Sequence, residues 1–388
     1  MPIPIKYSLK NVIIRSRTVV FTIIGIALVG FVFTAVQMLT EGIRTTLVGT
    51  GSEKNAIVIQ KASLAETTSG VDREQANILR TLAGIEKDAK GDPLCMAEGV
   101  VLVTLPKKGT STKVNVTLRG TSEKVLEIRD HIKLAEGRMF TPGTTEIVIG
   151  SGVRRLFENM EIGGSINFFQ RKWTVVGIID AGRSGFDSEI WCDVVQAQQA
   201  VRRDGFSSFT ARISDASAFD AFKAAVDADN RLKLEVKREK KFYADQSENL
   251  ATFVGILGSM VSFIFSIGAI VGAMITMYAA VANRTREIGT LQAIGFKRWE
   301  IVIGFLLEAE TIALLGGFVG LIIASVLTTV SFSTTNFDSF NETEFKFSLS
   351  SSVIIKSLIF SLVMGFLGGV LPAIHASRMK VVDALRSV

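Results

Sequence analysis

Residues 283–300, NRTREIGTLQAIGFKRWE, form a charged stretch set between two long apolar runs, and its reading decides the architecture. Before it, no charge occurs from Ala251 to Asn283. After it, an apolar run starts near Ile301 and continues to about Phe332, interrupted only by Glu308 and Glu310. A hydrocarbon core about 30 Å thick is crossed by about 20 apolar residues, so each run is long enough to span a membrane and the stretch is a short connection on one face. Within it Ile288, Leu291 and Ile294 recur at helical spacing beside Arg284, Arg286 and Glu287. Gly295 stands where a left-handed residue closes a helix. The pattern predicts the end of one span, a helix of about two turns near the membrane face, a turn at Gly295-Phe296 and re-entry at Lys297, Arg298 and Trp299.

Working outward, a further run covers 18–40 and another 353–374, which makes four spans: 18–40, 251–283, 301–332 and 353–374. The second is longer than a bilayer needs, so its start is expected to project into water as a stalk. The first is preceded by Lys6, Lys10, Arg15 and Arg17 in an amphipathic segment 1–17; it is too long for a signal sequence, lacks a small-x-small cleavage site, and reads as a retained anchor. Arg284, Arg286, Lys297 and Arg298 in the 284–300 connection, and Arg378, Lys380 and Arg386 in the tail 375–388, repeat that basic excess. The 333–352 loop instead holds Asp338, Glu342, Glu344 and only Lys346. The asymmetry places both termini and the 284–300 connection in the cytoplasm, and 41–248 with 333–352 outside.

Mean hydropathy of +0.37 and a hydrophobic share of 48% over 388 residues agree with a membrane protein. Forty-three Lys and Arg against 37 Asp and Glu, with no polybasic run, argue against nucleic acid. The cysteines, Cys95 and Cys192, have no metal-ligand spacing, and with only His131 and His375 a zinc site is not expected; two buried thiols are preferred to a disulfide.

Segment 41–248 mixes KVNVTLRG, EIVIG and SINFFQRKWTVVGII, which alternate as strands, with REQANILRTLAGIE and ASAFDAFKAAVDA, which read as amphipathic helices. The fold class is therefore an α-helical membrane protein of four spans carrying a large α+β extracytoplasmic domain between the first and second, in two lobes, the second about 120–205. Ser151 and Ser184 lack a histidine partner for hydrolase chemistry, and no phosphate-binding loop occurs, so the chain is expected to be non-catalytic. Three small-residue pairs, Gly268 and Gly272, Gly316 and Gly320, Gly365 and Gly369, read as helix-packing faces. Glu308 and Glu310 are costly inside a membrane and lie about 200° apart on the helix, so they cannot share one partner.

The stretch NRTREIGTLQAIGFKRWEIVIGFLLEAETIALLGGFVG resembles the signature segment of the MacB/FtsX-like permeases, the membrane subunits of type VII ABC systems. The tail PAIHASRMKVVDALRSV resembles their C-terminal end, and EGRMFTPGTTEIVIG their periplasmic core domain, so the resemblance covers essentially the whole chain. It implies an inner-membrane permease working by mechanotransmission with a separate cytosolic ABC ATPase, as in split versions without the fused ATPase domain. ATP and Mg would sit on that ATPase, with no cofactor bound by this chain. By the family's pattern Arg284, Arg286, Glu287, Ile288, Leu291, Ile294 and Gly295 form the coupling helix and turn seated in a groove of the ATPase. A homodimer or a pair with a sister subunit, a periplasmic adaptor protein and an outer-membrane channel are the implied partners, and export of an amphipathic or envelope-located substrate the implied function. Regulation of an envelope hydrolase, as in FtsX-type members, and lipoprotein extraction of the LolC/LolE kind are the alternatives. Glu308 matches the family's FLLEA position and reads as structural, paired with an arginine near the inner face; Glu310 departs from it.

Overall fold

The computed structural model describes residues 16–182, 184–335, 340–379 and 381; the expected amino-terminal segment up to 15 and the tail beyond 381 lie outside the described residues. Two units separate. One holds residues up to 41, 252–330 and from 347 on; the other holds 42–251 and 331–346.

The helices are α1 (Ser16–Val48), α2 (Arg73–Thr81), α3 (Val125–Ile128), α4 (Ser151–Leu156), α5 (Val194–Val201), α6 (Ala216–Ala228), α7 (Glu239–Ala282), α8 (Thr285–Ala293), α9 (Arg298–Ser325) and α10 (Ser351–Ser377). The strands are β1 (Asn55–Gln60), β2 (Cys95–Pro106), β3 (Lys113–Thr121), β4 (Lys133–Gly137), β5 (Glu146–Gly150), β6 (Ser165–Phe168), β7 (Arg171–Asp180), β8 (Glu189–Asp193), β9 (Ser208–Arg212), β10 (Leu234–Arg238), β11 (Ser331–Thr335) and β12 (Glu342–Lys346).

In the first unit α1, α7, α9 and α10 are each long and apolar enough to cross a membrane. Their bounds differ from the apolar runs in a consistent way. Helix α1 continues through Gly42 to Val48, and α7 begins at Glu239, where the flanking Glu, Lys, Ala and Gln residues are good helix formers with no Gly or Pro among them. Helix α9 ends earlier than expected, at Ser325, where the Thr-rich, β-branched sequence turns through Val326–Thr329 into β11. Pro372 stands inside α10 and does not end it. Packing among these helices is backbone-close. A Cβ at Gly316 would lie 2.9 Å from Ile26 and one at Gly320 2.6 Å from the Ala27 carbonyl, so both glycines seat α9 on α1. Gly365 and Gly369 would each meet an alanine of α9, Ala313 and Ala309, at 2.5 Å. Buried hydroxyls tie the same helices, Thr34 donating to Ser357 at 2.9 Å.

In the second unit ten strands form one sheet in the order β10-β1-β9-β2-β3-β8-β5-β7-β4, with β6 also pairing β7. Pairing is antiparallel except for β3 with β8 and β5 with β7. Strand alternation assigns the cores. Ala56 and Val58 of β1 face α2 and α6, with Leu79 and Phe222, while Ile57 and Ile59 face the other side. Ile147 and Ile149 of β5 join Val153, Phe157, Trp173 and Ile190 in a second cluster, while Val148 turns away from them. On the opposite side of the sheet one apolar layer runs under both halves, from Ile57 and Met96 to Val148, Ile179 and Trp191. The two expected lobes are therefore two halves of one sheet. The long β2–β3 hairpin carries the ladder across the expected boundary at 120. The run SINFFQRKWTVVGII breaks into β6 and β7 at Phe169 and Gln170, both with positive φ as a tight two-residue hairpin requires.

The segment expected as a loop over 333–352 contributes the β11–β12 hairpin to this second unit. Asn341 through Phe345 are buried against the sheet domain. The Asn341 amide donates to Thr117 Oγ1 at 2.9 Å and the Glu344 N–H to Ser188 Oγ at 3.0 Å. Lys107 reaches Glu342 at 3.2 Å and Arg155 reaches Glu344 at 2.6 Å.

Candidate functional site

Helix α8 leaves α7 after Asn283 and Arg284 and is closed by a Schellman motif. The Phe296 N–H donates to the Leu291 carbonyl and the Gly295 N–H to that of Gln292, both at 3.1 Å, with Gly295 at φ +106°. Glu300 then accepts from the Lys297 N–H at 2.7 Å and starts α9. This rigid turn sorts the residues expected to face an ATPase. Ile288 is buried among Met277, Val281, Ile301 and Phe305, and so anchors α8 to its own unit. Arg284 also turns inward: it donates to Glu308 at 3.0 Å and Glu287 at 2.9 Å, and lies over the Phe305 ring. An acid in an apolar helix needs a counter-charge, and Arg284 supplies it, so this residue leaves the outward set. Leu291 is half-buried. Arg286, Glu287, Thr290, Ile294 and Gly295 face outward, with Ile294 71% exposed.

The second acid takes another direction. Glu310 points its carboxyl toward α10, where Oε2 lies 3.2 Å from the Cβ position of Gly365, and that oxygen has no hydrogen-bond partner among the described residues. Gly268 and Gly272 differ from the other glycine pairs, since a Cβ at either meets nothing within 4 Å. Their face of α7 is not covered by the described residues.

At the other ends of α1 and α7 lies a constellation that the sequence pattern did not bring together. Gly51, three residues after α1, packs so close to the start of α7 that a Cβ would lie 2.5 Å from the Glu239 carbonyl. The Glu239 carboxylate accepts from the Ser52 N–H at 3.1 Å, the Asn55 amide at 2.8 Å and Arg129 Nε at 3.0 Å. Arg129 passes the link to Glu98 through two bonds of 2.8 and 2.7 Å. Arg119 spends all five N–H groups on Glu66, Glu98 and Glu189, and both guanidiniums lie over the ring of Phe186. Tyr243 of α7 donates to Glu66 at 3.0 Å. The four carboxylates, both arginines, Asn55, Phe186 and Tyr243 are all buried.

Two guanidiniums thus hold four carboxylates in the apolar layer beneath the sheet. Burial pushes the Glu66 carboxyl up, but the charge and hydrogen bonds of Arg119 and the Ser208 hydroxyl outweigh it and hold this group at about 2. Glu98 is lowered against burial by Arg129 and Arg119. Burial, with the Glu66 charge, carries the Tyr243 hydroxyl well above its usual range, so it remains a donor. The network is a charged knot without slack, tying the first turns of α7 and the residues after α1 to β2, β3 and β8. Sequence spacing could not assemble it from members scattered between Glu66 and Tyr243; the one local signal was Arg119 in mid-strand, opposite in face to Val116 and Leu118. Cys95 and Cys192 are free and buried, and burial raises both thiols.

Comparison with known proteins agrees with this architecture. Residues 18–229 match the MacB-like periplasmic core domain and 259–381 the FtsX-like permease C-terminal domain. Among curated relatives, the macrolide export ATP-binding/permease protein MacB of Burkholderia pseudomallei (strain 1710b) is 25% identical over 335 residues, covering 80% of this chain and 49% of its own length. The MacB of Neisseria meningitidis (serogroup A, strain Z2491) is 28% identical over 297 residues, covering 71% and 44%. The chain therefore spans about half the length of the curated relatives it matches. The crystal structure of the periplasmic region of MacB from Actinobacillus actinomycetemcomitans aligns with 50% of this chain and 92% of its own at 15% identity and a TM-score of 0.38. With four apolar helices, an α/β domain inserted between the first and second, and family models matching both parts, this multi-pass membrane chain belongs to the MacB/FtsX-like ABC transporter permeases.

Proposed function

We propose that this chain is the non-catalytic permease subunit of an inner-membrane complex that works by mechanotransmission, with both termini and α8 in the cytoplasm. A cytosolic ABC ATPase on another chain, carrying ATP and Mg, grips α8; its cycle displaces the spans, and α1 and α7 carry that displacement into the extracytoplasmic sheet. The observation that carries this reading is α8 itself. It is a short helix capped at Gly295, pinned from below by Ile288 and by the Arg284–Glu308 pair, with Arg286, Thr290 and Ile294 turned outward. A helix so fixed transmits a push and does not bend under it. The buried knot at Glu239 supports the same reading at the far ends of α1 and α7. The relatives are named for macrolide export; for this chain we propose export of an amphipathic or envelope-located compound through a periplasmic adaptor and outer-membrane channel. The Gly268 and Gly272 face, not covered by the described residues, supports a homodimer.

The test is purification of the tagged chain from its native membrane, with identification of co-purifying proteins and an ATPase assay. A P-loop ATPase should accompany the wild type. It should be lost from Ile294→Asp and Arg286→Glu, whose side chains face outward, with the chain still inserted in the membrane. Recovery of the ATPase with both variants, or of none with the wild type under gentle extraction, would overturn the proposal.

A further inference from the structure

The α/β unit contains a cavity of about 510 Å³ whose walls come from α1, α4, β7 and β12. Two ion pairs form its sides: Arg154 with Glu136 at 2.9 Å, and Arg155 with Glu344 at 2.6 Å. These four side chains neutralise one another. Three further charges line it; the Asp187 carboxylate is taken up by the Ala181 N–H at 2.9 Å and the Ser151 hydroxyl at 3.3 Å, which leaves two of opposite sign. The Lys346 ammonium makes no ion pair or hydrogen bond among the described residues, and the Asp180 carboxylate accepts only the Gly182 N–H, at 2.9 Å. A third group stands out. Ser184, only 3% exposed, lines the cavity with a hydroxyl that has no hydrogen-bond partner among the described residues. A buried hydroxyl without a partner is costly, so its place on a cavity wall marks a position where a ligand atom is wanted. Ser151 lies alongside, donating to Asp187 at 3.3 Å.

A lone ammonium, a lone carboxylate and an unspent hydroxyl call for a ligand bearing an oxyanion, a cation that can donate hydrogen bonds, and little net charge. The depth of the cavity narrows the class. Thr46, in its lining, lies on the same unbroken helix as the first span, six residues beyond Thr40. That is about 9 Å along the helix axis from the end of the apolar run 18–40, the distance at which a lipid headgroup is expected. We propose that this cavity is a binding site for a phosphoethanolamine-type zwitterion, the headgroup of an amphipathic molecule, with Lys346 on the phosphate, Asp180 on the ammonium and Ser184 donating to a phosphate oxygen. The proposal deepens the permease reading, on which it rests for its cargo.

The experiment uses the full chain in an uncharged detergent, without any ATPase, titrated calorimetrically with glycerophosphoethanolamine, glycerol 3-phosphate and ethanolamine. The zwitterion should bind at least about tenfold more tightly than either half, one charged contact being worth that factor. Lys346→Met and Asp180→Asn should each weaken it about tenfold and Ser184→Ala about threefold, with unfolding midpoints unchanged. Nanodiscs of phosphatidylethanolamine should compete with the free probe if the source is lipid-borne; competition absent with free binding intact assigns the site to a soluble phosphoethanolamine compound. Equal affinity for the three probes, or binding untouched by both charge variants, would overturn the proposal. Neither outcome bears on co-purification of the ATPase, so the two readings fail separately.

Discussion

Replacing Arg119 by Met removes a guanidinium whose five N–H groups all end on buried carboxylates. Four carboxylates would then face one guanidinium, Arg129. Truncating one partner of a buried ion pair costs about 3–5 kcal/mol, and here one arginine serves three partners, so the loss at pH 7 should reach about 5 kcal/mol. That is enough to unfold a marginal domain, so Arg119→Lys is made beside it. Lysine keeps the charge but offers three donors, leaving two bonds unmade at a combined cost of about 3 kcal/mol. The pH dependence separates this cause from lost packing. In the wild type Arg119 holds Glu66 at about 2 against burial. Without it burial prevails and the folded pKa rises above the unfolded value near 4.5. A group raised in the folded state stabilises below its unfolded pKa and loses that contribution as pH rises. The gap between variant and wild type should therefore narrow as pH falls from 7 toward about 4.5. Thermal unfolding of the full chain in detergent measures it, followed by the fluorescence of Trp173 and Trp191; the Trp191 indole donates to Glu189 at 3.0 Å. A gap under about 1 kcal/mol, the scale of a surface pair, or one that widens with acid, would refute the reasoning.

For the wild type the sign is the reverse: the depressed Glu66 contributes about 3 kcal/mol above pH 4.5, lost as pH falls through about 2, so unfolding midpoints should drop across that window and drop less in Glu66→Gln. Gly320→Ala drives a methyl to 2.6 Å from the Ala27 carbonyl and should destabilise by about 1–3 kcal/mol, whereas Gly268→Ala enters open space and should stay within about 0.5 kcal/mol by the same melt. Cysteines at Leu64 and Arg286, both exposed, should react with a membrane-impermeant maleimide from opposite sides of intact cells and inverted vesicles; labelling from one side would break the proposed orientation.

The features legible in residue order are local. The four spans follow from apolar length, the α8 turn from Gly295 after helically spaced Ile288 and Leu291, and the strand–helix–strand unit β9, α6, β10 from a change in apolar period. These depend on residues within a turn or a strand of one another, and there expectation and structure agree on the elements, though not on the bounds of the spans. Tertiary structure decided everything that required distant segments to meet. It turned Arg284 inward because Glu308, twenty-four positions on, needed a counter-charge. It made one sheet of two expected lobes because the β2–β3 hairpin is long enough to pair across them, and it drew the 333–352 loop onto that sheet. It also gathered Glu66, Glu98, Arg119, Arg129, Glu189 and Glu239 into one buried knot. Apart from Arg119 in mid-strand, each of those charges, met in sequence, reads as an ordinary surface residue; only the closing of the sheet over them removes water and makes their pairing obligatory.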